Sequence, residues 1–417
     1  MSIDIPSILS QLRIAAGDTS PYAPEKPLPF RPLVQKLVWH EASEEAFELA
    51  MHYLQYNTIP YTVALHITRS FVETLPQYIV QTEMDPDQRR NELDGDFFSK
   101  AVIHELRVFI GKLKTEEDLD NIGALAVPRK KCDASSQLCL HVSIACQKNQ
   151  RRTQEDRHTA LVDMQLMFGN KAKMGDALFC VYDGHAGAEV ASYAVTHFPY
   201  HLISAPDYHT DLQSALRFAY QQIDNHTTEK CKREKIRSGC TAVTCVLRDK
   251  QLHLGWVGDS HAVLVDARGA TTLTTAHNPD LESEYKRIEA AGGMCIPIQG
   301  ELRVNGVLNL SRSFGDVSVK PCVTAEPDVR CVDFNGSETL LLLCCDGVWD
   351  SMEDEQFVEC LTQLVKSCTT VEQWMTDYIR LSEVILARAK ANGSTDNLTC
   401  VAVLLKPLEK IWQIYRT

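Results

Sequence analysis

The sequence predicts an α+β sandwich preceded by a small all-helical domain, and three observations carry that expectation. From residue 138 onward, short apolar segments bounded by turn residues come in runs while helical stretches come in pairs, a grouping that favours segregated sheets and helices over strict alternation. Residues 31–115 instead repeat apolar side chains every three or four positions. Two of the apolar runs, Leu178–Tyr182 and Leu340–Cys345, stop at Asp183–Gly184 and Asp346–Gly347, as buried strands do where they surface into a turn.

Residues 1–30 carry Pro21, Pro24, Pro27 and Pro29 and read as an irregular arm. Across 31–115, Leu33, Leu37, Val38, Ala46, Phe47, Leu49 and Ala50 recur at helical spacing with Glu41, Glu44 and Glu45 between them. Pro60 interrupts, Val63–Ile79 resumes, and Phe97–Leu113 follows with Asp94 or Asp96 to cap it. No chemical constellation lies there, so this part reads as a packing module or a surface for a protein partner. Residues 116–137 alternate acidic and basic runs and read as a linker; Arg129–Lys131 could be a nuclear signal, though three charges are too few to rest that reading on.

In 138–405 the expected strands are Leu138–Cys146, Thr159–Met167, Leu178–Tyr182, Thr241–Leu247, Gln251–Val257, Ala262–Asp266, Thr271–Thr274, Val329–Phe334, Leu340–Cys345 and Leu398–Leu405. The expected helices are Ala188–Phe198, Asp211–Cys231, Leu281–Ala291, Asp354–Lys366 and Val371–Ala391. For Leu281–Ala291, Asp280 is the expected cap and Gly292–Gly293 the stop. Residues 406–417 are left as a tail.

At 417 residues the chain is long for one core. Its formal net charge of -13 argues against non-specific nucleic-acid binding, which needs a basic footprint. No apolar run reaches the 18 or so residues of a membrane helix, and Met1–Ser10 lacks the basic start of a signal peptide. Fifteen scattered cysteines with no C-x-x-C pair read as buried free thiols of a reducing compartment, cytoplasm or nucleus, and not as zinc or redox motifs.

The chemistry begins with Asp183, Asp346 and Asp396, the last just ahead of the apolar run Leu398–Leu405. Carboxylates at the edge of a core are costly unless paired or bound to metal. Hard oxygen donors without a histidine or cysteine cluster select Mg²⁺ or Mn²⁺, and a pair of such ions can polarise a phosphoryl oxygen. The bland alternative for each is an Asp-Gly turn. Arg151-Arg152-Thr153-Gln154-Glu155-Asp156 sets guanidinium groups beside an acidic pair, as phosphate and metal-water binding would need, or else forms a solvated charge run. His185, two residues after Asp183, points the same way on an extended end and can bind metal, satisfy a local hydrogen bond or donate a proton. Asp259 and Asp350 stand at a further strand end and four residues past Asp346, where a weaker ion or an ordinary turn would equally explain them.

Eight segments together resemble the metal-dependent protein serine/threonine phosphatases of type 2C (the PPM family). They are Arg151–Asp156, Val181–Gly187, Ser238–Ala242, Gly258–Ser260, Ser311–Asp316, Ala325–Asp328, Asp346–Asp350 and Ser394–Asn397, in family order over about two thirds of the chain. The resemblance implies two antiparallel sheets flanked by helix pairs, with a two-metal site at one end. It implies that Asp183 bridges both Mg²⁺ or Mn²⁺ ions, that the Gly184 carbonyl serves one and that Asp346 and Asp396 serve the other. By the same resemblance Glu155 and Asp156 hold metal-bound waters, Arg151 binds the substrate phosphate of a phosphoprotein, and His185 is the general acid. Asp259 and Asp350 match positions used for a third ion, and Leu281–Asn305 matches the flap beside the site. Two departures stand out: His261 replaces a frequent arginine, and Ala276 a common acid. The helical extension and the wording of residues 151–158 are most similar to the calmodulin-kinase phosphatase and nematode feminisation-phosphatase subgroup.

Two rival readings remain. Cys146–Arg152 and Cys231–Arg237 each match the C-x5-R of a cysteine phosphatase, but neither loop has glycines to turn its N–H groups toward a phosphate. A catalytically inactive pseudophosphatase acting as a binding scaffold would keep the sandwich but need not keep every metal position, and here every one is present.

Overall fold

The structure, a computed structural model, describes residues 4–17, 36–38, 41–75, 92–124 and 140–416. The chain forms two compact units: one of Met1–Lys131 with Gln165–Lys171, the other of Cys132–Met164 with Ala172–Thr417. Among the described residues, no helix is long and apolar enough to cross a membrane.

The first unit is mainly helical, with corrections to the sequence reading. Where an irregular arm was expected, α1 (Ile5–Ala16) forms, because Asp4 accepts from the Ser7 N–H at 3.2 Å and Ile8, Leu12, Ala15 and Ala16 make a buried stripe. Tyr53 Oη donates to the Ala15 carbonyl at 2.6 Å and Arg107 Nε to Ala16 at 2.9 Å, which ties the helix end down. Leu37 and Val38, expected in a helix, lie in β1 (Lys36–Val38), paired antiparallel with β2 (Glu92–Asp94). A three-residue strand whose partner is more than fifty residues away leaves no local periodicity to read. The helices α2 (Ala42–Tyr56), α3 (Tyr61–Glu73) and α4 (Gly95–Ile110) follow expectation. Of the two possible caps for α4, Asp94 serves, accepting from Phe97 N–H at 2.9 Å. The acidic start of the expected linker is a helix, α5 (Glu116–Asn121), closed by a Thr115–Asp118 capping box. The one-turn α6 (Gln165–Phe168) corrects a strand expected through Met167; Arg69 donates to the carbonyls of Gln165 and Leu166. The proline-rich part of the arm, residues 76–79 and the 129–131 basic run lie outside the described residues.

The second unit is a sandwich of two antiparallel sheets. One runs β13-β7-β6-β5-β4 with β12 on β6; the other runs β3-β15-β14-β8-β9. The strands are β3 (His141–Gln147), β4 (Arg157–Leu161), β5 (Ala177–His185), β6 (Gly239–Arg248), β7 (Gln251–Val257), β8 (His261–Asp266) and β9 (Gly269–Thr272). A separate hairpin, β10 (Cys295–Ile298) with β11 (Glu301–Val304), lies between them and β12 (Phe314–Gly315), β13 (Asp328–Asp333), β14 (Leu340–Cys344) and β15 (Leu398–Leu404). β6, β14 and β15 are buried along their whole length, which is why their sequences are mostly apolar without strict alternation, unbroken in β14 and interrupted by Thr241, Thr244 and Arg248 in β6 and by Thr399 in β15.

Helices α7 (Glu189–Ser204) and α8 (Leu212–Glu234) cover the first sheet, and α11 (Asp354–Ser367) and α13 (Leu381–Ala391) the second. Between them in sequence come α9 (Glu282–Ala290), α10 (Asp346–Trp349) and α12 (Val371–Asp377). The expected single helix Val371–Ala391 is thus broken by a single 3-10 turn at Tyr378–Arg380. The expected Asp280 cap on α9 is not used: Leu281 holds the cap position without a side-chain bond, while Gly292 ends the helix at φ +82° as anticipated. The expected tail carries α14 (Leu408–Tyr415), which buries Leu408, Ile411 and Tyr415; its Leu408 carbonyl accepts from Trp374 Nε1 at 2.9 Å.

Candidate metal centre

One end of the sandwich collects every predicted site residue, and strand register explains how. β14 and β15 run antiparallel with Cys344 opposite Cys400, so Asp346 after one and Asp396 before the other emerge together. Gln147 pairs with Leu398, so the loop after β3 carries Arg151–Asp156 to the same end. Arg157 opposite Tyr182 brings Asp156 beside the end of β5, where Asp183, Gly184 and His185 stand. Asp259 lies between β7 and β8, and His261 opposite Cys344 sets that loop at the same rim. Behind Asp183 an aromatic series, Tyr182–Phe198–Tyr220–Phe314, holds β5 to α7, α8 and β12.

Ligand-capable atoms of Asp183, Cys345 and Asp346 all lie within 4.8 Å of one another. Packing leaves Asp183 and Asp346 half-buried, with one edge toward solvent and protein elsewhere. Burial raises both carboxyls, and their mutual repulsion adds to it at Asp183, whose pKa stands well above the usual range. Burial and then Asp346 push Asp259 to about 8. Burial raises Asp156 to about 6, although Thr399 Oγ1 donates to its Oδ2 at 2.6 Å. Its other oxygen, Oδ1, is buried and without a partner. Repelling buried carboxylates with an orphaned oxygen are what a hard divalent cation would relieve, so the donor set fits Mg²⁺ or Mn²⁺. Cys345 does not disturb that choice. Its thiol is pushed well above its ordinary pKa by burial and the neighbouring acids, and Sγ is engaged with Thr399 N–H and the Asn397 carbonyl.

Around this pair, Glu155 is held at both oxygens, by Thr153 Oγ1 at 2.7 Å and by Gly187 N–H at 3.0 Å. Gly184 is required sterically: a Cβ there would stand 2.6 Å from the Glu155 carbonyl oxygen. Arg151 Nη2 donates to Asp396 Oδ2 at 2.5 Å, so the exposed guanidinium sits at the metal rim. Asp350 is the outermost member, exposed, with its pKa raised by partial desolvation and then by Asp346 and Asp396.

Three contributors were not singled out from the sequence. Asn397 accepts from Glu155 N–H at 2.8 Å and donates from Nδ2 to the carbonyls of Lys148 and Thr153, stitching the 148–155 loop to β15. Thr399 orients Asp156. Asp316 lies 2.7 Å from His185 Nε2 through Oδ2. Burial lowers the His185 pKa, but the Asp316 hydrogen bond and charge, with Asp259 and Glu155, outweigh it and the net shift is upward. Asn397 and Asp316 fall inside the motifs quoted above, yet nothing in their spacing marks a contact more than a hundred residues away.

His261, one of the two departures, is a neutral, buried ring. Desolvation pushes it down to about 4, its Nδ1 shares a 2.8 Å hydrogen bond with Thr274 Oγ1, and it lies 4.9 Å from the Trp349 ring. Burial pushes the Cys231 thiol up to about 11, away from the thiolate that a cysteine phosphatase needs.

Residues 140–398 match the protein phosphatase 2C family. The chain is 32% identical over 407 residues to human protein phosphatase 1F, covering 93% of this chain and 85% of that protein. It is 30% identical over 387 residues to human protein phosphatase 1E, covering 93% of this chain but only 49% of that relative, so it spans about half of that protein's length. A solved structure of a C. elegans sex-determining protein superposes with a TM-score of 0.73 at 26% identity, covering 99% of this chain and 98% of that one. An acidic centre lying wholly within the matched residues, on the sandwich those residues build, leads to one assignment: the chain belongs to the protein phosphatase 2C family of metal-dependent serine/threonine phosphatases.

Proposed function

We propose that this protein hydrolyses phosphoserine and phosphothreonine in phosphoproteins, using two Mg²⁺ or Mn²⁺ ions at the centre described and a third, weaker ion at Asp259 and Asp350. The observation that carries this reading is the convergence of Asp183 and Asp346, whose ligand-capable atoms lie within 4.8 Å of one another and whose carboxyl pKa values burial raises. Asp183, the Gly184 carbonyl, Asp346 and Asp396 would hold the ions, with Glu155 and Asp156 ordering water around them. When bound, the ions supply Lewis acidity and lower the pKa of water. Arg151, at the exposed rim, turns from Asp396 to orient the phosphate. His185 gives its proton to the departing serine or threonine oxygen. The helical unit acts as a module for a protein partner. Free thiols throughout the described residues support a reducing compartment, cytoplasm or nucleus.

The test is hydrolysis of a phosphothreonine peptide with Mn²⁺, alone or with chelator, by the full chain and by Asp183→Asn. The expected result is chelator-sensitive turnover that Asp183→Asn abolishes, together with weaker Mn²⁺ binding by calorimetry. A folded wild-type chain that binds Mn²⁺ but leaves the peptide intact would make it a scaffold instead.

A further inference from the structure

We propose that Asp316 is the positioning residue for His185, fixing the tautomer and orientation in which the imidazole delivers its proton. This rests on the reading of His185 as general acid. Asp316 Oδ2 and His185 Nε2 are 2.7 Å apart, with Asp316 only 6% exposed, so the hydrogen bond is shielded from solvent. Ser313 Oγ donates to the same Oδ2 at 2.6 Å and fixes the carboxylate in turn. The backbone at Asp316 is left-handed (φ +47°, ψ +42°), a conformation that costs about 1–2 kcal/mol for a residue with a Cβ. Such a cost persists where surroundings over-determine it, often at functional sites. Here Gly315 at φ +74° abuts the Ser238 carbonyl, and its N–H donates to Asp224 Oδ1 at 3.3 Å. Across the ladder His185 pairs with Gly239, where any Cβ would collide with both Asp316 Oδ2 and His185 Nε2. The strand has a gap of one side chain, and the pair fills it.

With Nε2–H donating to Asp316, Nδ1 is the nitrogen that can face substrate. As water oxygen bonds to phosphorus and the phosphorus–oxygen ester bond breaks, the Nδ1 proton passes to the departing alkoxide, while the hydrogens of the water leave with the dihydrogen phosphate product. The electron pair left on Nδ1 makes the ring neutral, and its remaining proton stays on Nε2 toward Asp316. Loss of the carboxylate would free the other tautomer and let the ring turn.

A purely structural role for Asp316 and a positioning role separate by leaving group. A threonine alkoxide needs the proton; p-nitrophenolate does not. In the Mn²⁺-loaded full chain, Asp316→Asn is expected to lower kcat on a phosphothreonine peptide by about 10–100-fold. KM, Mn²⁺ affinity and the rate on p-nitrophenyl phosphate should change by no more than about threefold. Joined to His185→Gln, it should add almost nothing to the loss of His185→Gln alone. Equal losses on both substrates, a full additional loss in the double variant, or no loss on the peptide would each overturn the proposal. Unchanged peptide turnover in His185→Gln would overturn the general-acid reading itself and the inference with it. If Asp316→Asn unfolds, Ser313→Ala, which removes only the hydroxyl holding the same oxygen, should show the same substrate-selective loss in smaller measure. A loss equal on both substrates would again overturn it.

Discussion

Gly239 and Gly347 show how single residues set this centre. At Gly347 a Cβ would collide with the Asn397 carbonyl oxygen, so the residue after Asp346 must be bare for α10 and the start of β15 to close on each other. Gly347→Ala is expected to spread Asp346 from Asp396, weakening Mn²⁺ binding by about tenfold or more in calorimetry and destabilising the fold by about 1–3 kcal/mol. Asp183→Asn makes a complementary prediction. It removes the buried repulsion, so the chelated protein should melt no lower than wild type, while the rise in Tm on adding Mn²⁺ should shrink or vanish. These acids were legible because each ends or borders an apolar run, a pattern that depends only on neighbours in sequence. Asp316 was not, because its significance lies in a turn conformation and in a histidine that comes 131 residues earlier.

Among elements, the long buried strands were easiest to anticipate and the short or terminal ones hardest. β14 is apolar throughout and β15 is so but for Thr399, whereas β1 and β2 are three residues each and exist through one another. α14 shows a similar limit. Residues 406–417 contain too few turns to display a period convincingly, yet Ile411 is fully buried and Tyr415 Oη bonds Thr339 Oγ1 at 2.6 Å. Ile411→Ala is therefore expected to cost about 2–5 kcal/mol in urea unfolding, as for a core site and not a tail. A change near zero would mean that α14 frays in solution.

Over the whole second unit, a charged network joins α9 to the loop that carries Asp259. Arg312 binds Glu284 Oε1 at 2.6 Å and Asp328 Oδ1 at 2.8 Å, and Arg287 binds Glu284 Oε2 at 2.9 Å. His277 Nε2 stands 3.4 Å from Asp328, while its Nδ1 accepts from Gly258 N–H, next to Asp259. Burial works to raise Glu284, but bonds from Arg312 and Arg287 prevail and bring it from 4.5 to about 2. Its folded pKa being depressed, the stability it contributes is present above pH 4.5 and fades as pH falls through about 2. Glu284→Gln should lower stability near neutrality by about 2 kcal/mol, allowing for partial solvent screening, and should flatten acid unfolding between those two values.

The return of Gln165–Lys171 to the helical unit, where Arg69 grips the carbonyls of Gln165 and Leu166, makes the chain cross from one unit to the other three times, after Lys131, Met164 and Lys171. Shortening the chain from its front would strand that excursion without the helix that receives it. Such a shortened chain is expected to be nicked first there by a protease, and to become resistant once the excursion is replaced by a tight turn between Met164 and Ala172. A graft that moves the helical part onto another member of the family would have to carry both pieces.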